Sequence, residues 1–341
     1  MKILILKPSS LGDVVQALPV LRLLKLAYPQ SEIFWWIDSR LAPLLKDDPD
    51  LDWVIPWERR GWNTLKRWRQ LRTEILFLRA QNFDLVIDLQ CLARSGTFAW
   101  LANGKFLVGL DEPREGARGF YDLAIPRATY HTHAVDWYLS VLPPLGVPVH
   151  KNFDWLPERP DIAAAVREKW PGENRRWLIL QPGGRWLNKR WPVENFAEIV
   201  RQLAAKHPEI QFAILGGADE RVLAQDIKSA APERCLNLCG ELSLLEMVEW
   251  VRRGDLMVTN DTGPMHVAAA LGKPVVALFG PTEPRRTGPY GQIATALRQP
   301  LPCAPCMKPT CANPNKLECL RLISPAMVVA EVERRLVTTK C

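Results

Sequence analysis

Four short segments of the 341-residue chain group side chains that could hold an anion or move a proton. The first is Lys7-Pro8-Ser9-Ser10-Leu11-Gly12-Asp13. Gly12 permits a tight turn, and Ser9, Ser10 and the backbone N–H groups beside them could meet an anion at a helix N-terminus. Asp13 could cap that helix or act as a general base, and local sequence alone favours the cap. The second is Gln181-Pro182-Gly183-Gly184-Arg185-Trp186-Leu187-Asn188-Lys189-Arg190-Trp191-Pro192. Gly183 and Gly184 allow close backbone approach, and Arg185, Lys189 and Arg190 supply positive charge, a combination suited to a diphosphate. It lacks the spacing of a P-loop. The third, Gly216-Gly217-Ala218-Asp219-Glu220, places acids just after a glycine turn. Such acids could hold ribose hydroxyls or cap a helix. The fourth begins Thr259-Asn260-Asp261-Thr262-Gly263-Pro264-Met265-His266. Asp261 and Thr262 are N-cap types, and Pro264 suits a first helical turn. The N–H groups of Thr262 and Gly263 would form an anion site to which His266 could add a hydrogen bond. Gly280-Pro281-Thr282 makes a further tight loop.

Each segment follows an apolar run of strand length. Lys2–Lys7, Glu32–Ile37 and Asp84–Leu89 read as buried strands in the first half, with helices from Asp13 to Ala27 and from about Cys91. The pattern restarts after residue 160. Trp177–Leu180, Gln211–Leu215, Leu256–Thr259 and Val275–Phe279 read as strands, with a helix from about Val193. Continuous apolar strands alternating with helices imply parallel sheets covered on both faces. Two such series, in a chain long enough for two domains, predict two doubly wound α/β domains. The polar stretch Trp170–Arg176 suits a link between them. Ligands of open parallel sheets bind beyond the carboxyl ends of the strands, so a cleft between two such domains is the expected site.

Taken together the loops resemble glycosyltransferase family 9, the ADP-heptose:lipopolysaccharide heptosyltransferases. The matching pieces are Lys7 to Asp13, Lys189-Arg190-Trp191-Pro192 after a Gly-rich loop, Asp261-Thr262-Gly263-Pro264-Met265-His266, and Phe279-Gly280-Pro281-Thr282. They span residues 1 to about 290 in the family's order. The resemblance implies a GT-B fold of two Rossmann-like domains facing across a cleft. Residues 1–165 would bind the acceptor and 175–324 the nucleotide-sugar donor, with a helix in 325–341 returning to the first domain. By position, Asp13 matches the catalytic base, and Lys7, Ser10 and Gly12 fall on the acceptor side. Lys189, Asp261, Thr262, Gly263 and His266 match contacts to the donor diphosphate or sugar, with Gly183 and Gly184 contributing backbone N–H groups. Glu220 or Asp219 would hold the ribose, and Leu242 falls where the family contacts adenine. The implied reaction is a single inverting displacement from ADP-heptose to a lipopolysaccharide inner-core acceptor. With no Asp-x-Asp motif at the leaving group, no metal cofactor is required. The alternatives are the same fold with another nucleotide sugar or acceptor, and a GT-B-like sugar-nucleotide epimerase, which would need no acceptor base at Asp13.

Two further features stand outside those loops. Lys plus Arg number 44 against 37 Asp plus Glu, a net charge of +7. The balance is concentrated in Trp57–Arg79, which carries seven cations and two acids interleaved with Trp57, Trp62 and Trp68. Arg59 and Arg60, with Lys66 and Arg67, are the expected contacts to an acidic lipid-linked acceptor, and an anionic membrane surface is a related partner. A solvated helix face with the tryptophans packed inward is the plainer reading. A nucleic-acid partner would leave the four loops unexplained. The second feature is Cys303-x2-Cys306-x4-Cys311-x7-Cys319. Four thiolates would suit a structural zinc, whereas the long last gap favours free thiols. The N-terminal apolar run is too short for a signal peptide, and no stretch reaches membrane-span length. The expected location is cytoplasmic, with a peripheral contact at the inner membrane.

Overall fold

The computed structural model describes residues 1–58, 65–172 and 175–338. Twelve strands form among these residues. In the first sheet they are β1 (Lys2–Leu6), β2 (Glu32–Asp38), β3 (Trp53–Trp57), β4 (Leu85–Asp88), β5 (Phe106–Asp111) and β6 (Leu123–Pro126). In the second they are β7 (Arg176–Gln181), β8 (Ile210–Ile214), β9 (Cys235–Asn237), β10 (Leu256–Asn260), β11 (Val275–Phe279) and β12 (Ala296–Arg298). The sheet orders are β3-β2-β1-β4-β5-β6 and β12-β11-β10-β7-β8-β9. All pairings within them are parallel. Read from its own first strand, each sheet has the same order, reversing direction between its first and fourth strands. That reversal is the topological switch point where open α/β sheets bind ligands.

The apolar runs that predict the central strands are buried end to end. Ile3 to Leu6 and Leu178 to Leu180 have almost no exposed surface. The edge strands escape the sequence pattern for physical reasons. Trp53-Val54-Ile55-Pro56-Trp57 contains a proline, which an edge strand tolerates, and only Trp57 within it is buried. β9 and β12 are three residues each.

The chain divides into two compact units, Met1–Pro157 and Glu158–Cys341. The boundary therefore precedes the expected link. The helix Pro160–Lys169 packs on the helix Leu244–Arg253, and Trp170 meets Trp250 edge-on at 5.8 Å, so residues 158–170 belong to the second unit. The C-terminal helix Pro325–Thr338 is also part of the second unit. Its Val328, Val329, Val332 and Leu336 enter that unit's core beside Phe196, Ile199, Val200 and Leu203 of the helix Val193–Lys206. The helix's apolar face is therefore accounted for within the second unit. Trp191 ties this tail to the Gly-rich loop, its indole N–H donating to the Ile323 carbonyl at 2.9 Å.

In the first unit, Trp57 is buried against Trp36 and Phe98. The helix Leu65–Ala80 turns Leu71 and Leu78 into the same core. Thus Trp57 and the inner face of this helix follow the plainer reading of the basic stretch. Among the described residues no helix is long and apolar enough to cross a membrane.

Candidate active site

In the first unit the chemistry gathers at the end of β1. Ser10 caps the helix Leu11–Ala27, in which Gly12 lies in the first turn rather than in a preceding loop. Asp13 closes a reciprocal cap: its Oδ2 accepts the Ser10 N–H at 2.9 Å and the Ser10 hydroxyl at 2.6 Å. Its Oδ1 accepts the Tyr138 hydroxyl at 3.3 Å. The cap and the base are therefore compatible, since one oxygen orders the helix start while the carboxylate stays partly exposed.

Lys7, expected on the acceptor side, is 3% exposed. Its ammonium donates to the Leu89 carbonyl at 2.9 Å and lies 4.6 Å from the Tyr138 ring centroid. Arg59 and Arg60 lie outside the described residues, as do Trp62 and the side chains of Lys66, Arg67 and Trp68. At the end of β4, Asp88 is buried. Its carboxylate accepts Ser95 and Tyr121 hydroxyls, each at 2.8 Å, and the Gln90 N–H at 2.8 Å. Burial raises its pKa. These bonds give Asp88 a loop-ordering role.

In the second unit three loops meet. Lys189 donates to Asp261 Oδ2 at 2.6 Å, and the Thr282 hydroxyl reaches the same oxygen at 2.7 Å. Lys189 also sits 4.8 Å from the Trp186 ring centroid. Asn260, at the end of β10, clips the Gly-rich loop in place. Its amide donates to the Pro182 carbonyl at 2.6 Å and its oxygen accepts the Trp191 N–H at 3.1 Å. Thr262 then caps the helix Gly263–Ala270, with Pro264 in its first turn and His266 buried behind it. The adjoining Glu283 carboxyl is depressed to about 2, chiefly by its hydrogen bond from Arg285.

Glu220 is a strut between loops. Its Oε1 accepts the Gly184 N–H at 3.0 Å, its Oε2 accepts the Gly217 N–H at 3.1 Å, and Arg190 pairs with it at 3.2 Å. A Cβ on Gly183 would fall 1.9 Å from Glu220 Oε1, which explains the glycine. The expectation that the Gly184 N–H serves the phosphates is modified, because that N–H is already bonded. Arg190 likewise braces the loop, its Nε donating to the Gly184 carbonyl at 2.8 Å. Asp219 is exposed beside Glu220. Leu242 follows a turn fixed by Gly240, whose φ is +76° and whose N–H reaches the Gly216 carbonyl at 3.0 Å.

Sequence reasoning missed Tyr138 and Asn260. An asparagine ending an otherwise apolar strand is a usable signal for Asn260, since a buried amide must be bonded. Tyr138 is 125 positions from Asp13 and no local pattern marks it.

The cysteines of the proposed zinc set line a cavity of about 340 Å³ with Asn188 and Pro281. Among the described residues no group of three or more His, Cys, Asp or Glu is arranged to hold a metal ion. The sulfurs of Cys303 and Cys311 instead accept hydrogen bonds, from the Asn313 amide at 3.5 Å and the Leu317 N–H at 3.4 Å.

Two six-stranded parallel units with anion-ready loops at their switch points are the two halves of a GT-B fold. A family model described as glycosyltransferase family 9 (heptosyltransferase) matches residues 71–317. Lipopolysaccharide heptosyltransferase 1 of Pseudomonas aeruginosa is 33% identical over 332 residues, covering 91% of this chain and 87% of that protein. The solved E. coli ADP-heptose lipopolysaccharide heptosyltransferase II superposes with a TM-score of 0.80 at 25% identity, covering 100% of both chains. The E. coli heptosyltransferase WaaC with ADP gives 0.77 at 26% identity, covering 98% of this chain and 100% of that one. The chain belongs to glycosyltransferase family 9, the heptosyltransferases.

Proposed function

We propose that this enzyme transfers heptose from ADP-heptose to an acidic, lipid-linked sugar of the lipopolysaccharide inner core, with inversion at the anomeric carbon. The observation that carries the reading is the pair of opposite charges at equivalent strand ends: the Asp13 carboxylate after β1 and the Lys189 ammonium in the loop after β7. Asp13 takes the proton of the acceptor hydroxyl. The freed oxygen pair forms the new bond to the anomeric carbon, and the bond from that carbon to the diphosphate oxygen breaks. The electron pair leaves with ADP, whose growing charge is met by Lys189 and the N–H groups of Thr262 and Gly263. Fixed donors of this kind are worth more than solvent because they need no reorganisation during the reaction.

Lys189 begins the cycle paired with Asp261, so donor binding exchanges that partner for phosphate. Asp261 and His266 are then assigned to the sugar and its phosphate. Glu220 offers its remaining lone pairs to the ribose, and Leu242 contributes the adenine contact.

A nucleoside-diphosphate panel tests the donor. ADP should raise the melting temperature and UDP should not, and ADP-heptose with a core acceptor should give an inverted heptoside. Equal stabilisation by UDP would contradict the assignment.

The membrane side of the reading rests on the helix Leu65–Ala80. Arg69, Arg72 and Arg79 are exposed there beside Leu76 at 55% and Phe77 at 44% exposure. Cations next to exposed apolar side chains suit peripheral contact with an anionic bilayer, here the cytoplasmic face of the inner membrane.

A further inference from the structure

We propose that Tyr138 is a positioning residue for the Asp13 carboxylate, fixing Oδ1 toward the acceptor hydroxyl, and that the buried Lys7 holds Tyr138 in that role. The inference rests on the reading of Asp13 as the general base. The two carboxylate oxygens are held by different elements. Oδ2 is bonded by Ser10 of its own helix cap, whereas Oδ1 meets Tyr138 from the helix Ala134–Leu139, which packs on the helix Leu11–Ala27. The contact at Oδ1 adds a hold from a second helix to the one at Oδ2, and transfer rates fall steeply when reacting atoms are misplaced.

The surroundings keep Tyr138 a donor. It is 4% exposed, and burial raises its phenol pKa, with Lys7 only partly opposing the shift. Burial opposes the charge on the Lys7 ammonium, and the Asp13 carboxylate favours it. Cys91, the other titratable group facing Lys7, is pushed up to about 12 by burial and stays a neutral thiol. Lys7 is itself anchored by the Leu89 carbonyl, and its own carbonyl accepts the Trp35 indole N–H at 3.2 Å. The chain Leu89–Lys7–Tyr138–Asp13 thus runs from the end of β4 to the partly exposed carboxylate. This leaves Lys7 a support for the base and not a contact to the acceptor.

The test is Tyr138→Phe in the full-length enzyme, which keeps the ring and deletes the hydroxyl, assayed beside Asp13→Asn. Removing one donor should lower kcat about tenfold. The acidic limb of the kcat–pH profile should move to higher pH, because the ionised carboxylate has lost a stabilising bond. Melting temperature should fall by only a few degrees, and ADP affinity should stay at the wild-type value. A wild-type kcat with an unmoved profile would overturn the proposal. So would a loss of rate accompanied by equal losses of stability and ADP binding, which marks a structural role. Near-normal turnover in Asp13→Asn would instead defeat the general-base reading itself, whatever Tyr138→Phe does.

Discussion

The two units share one strand order and carry opposite charges at the same address. After its first strand, the first unit presents a carboxylate, Asp13, braced by Ser10 and Tyr138. After the corresponding strand, the second unit presents an ammonium, Lys189, paired with Asp261. The fourth strands do not repeat the contrast, since an acid stands at or just after the end of each. The first unit ends in Asp88, buried and bonded by neutral hydroxyls, and the second in Asn260 and Asp261, which order the cationic loop. The fold therefore decides where a ligand can sit, and the side chains at the switch point decide which half of the reaction occurs there. A base suits the hydroxyl that loses a proton; a cation and a helix N-terminus suit the diphosphate that gains charge.

The sharpest way to break this contrast is Asp13→Asn. Loss of a general base costs about 10²- to 10⁴-fold in rate. Turnover should fall by at least about a hundredfold while ADP affinity, measured by calorimetry, hardly moves. Lys189→Ala should do the reverse. Removing one charge-assisted bond to phosphate weakens ADP binding by about 10- to 100-fold, and unchanged affinity would remove Lys189 from the donor site. The smallest effect concerns the surface of the first unit. Replacing Arg69, Arg72 and Arg79 by Gln should reduce flotation with anionic liposomes at low salt by several-fold, since exposed cations add attraction to such a surface. Equal flotation of variant and parent would exclude this helix as the contact.

Much of this is legible in the sequence. The central strands announce themselves because burial on both faces requires unbroken apolar runs, and their loops carried Asp13, Lys189, Asp261 and Thr262 in order. The edge strands were not legible, because half-exposed residues such as those of β3 need no such run. The domain boundary misled for a similar reason: Trp170–Arg176 is polar on paper, yet Trp170 packs on Trp250. Site contacts made through space were also hidden. Tyr138 reaches Asp13 from a separate helix, and no local pattern shows that the two Glu220 oxygens brace Gly184 and Gly217. Glycine spacing suggested a phosphate cradle, and part of its cause is room for Glu220.

The division of labour between the units is tested most directly by measuring both quantities on the same two proteins. ADP affinity by calorimetry and single-turnover heptosyl transfer at saturating donor would be determined for Asp13→Asn and for Lys189→Ala. The account predicts a crossed result: Asp13→Asn binds ADP as the parent does and transfers at least a hundredfold more slowly, whereas Lys189→Ala loses ADP affinity. If Asp13→Asn transferred heptose at the parental rate, the first unit would not hold the base and the account would be wrong.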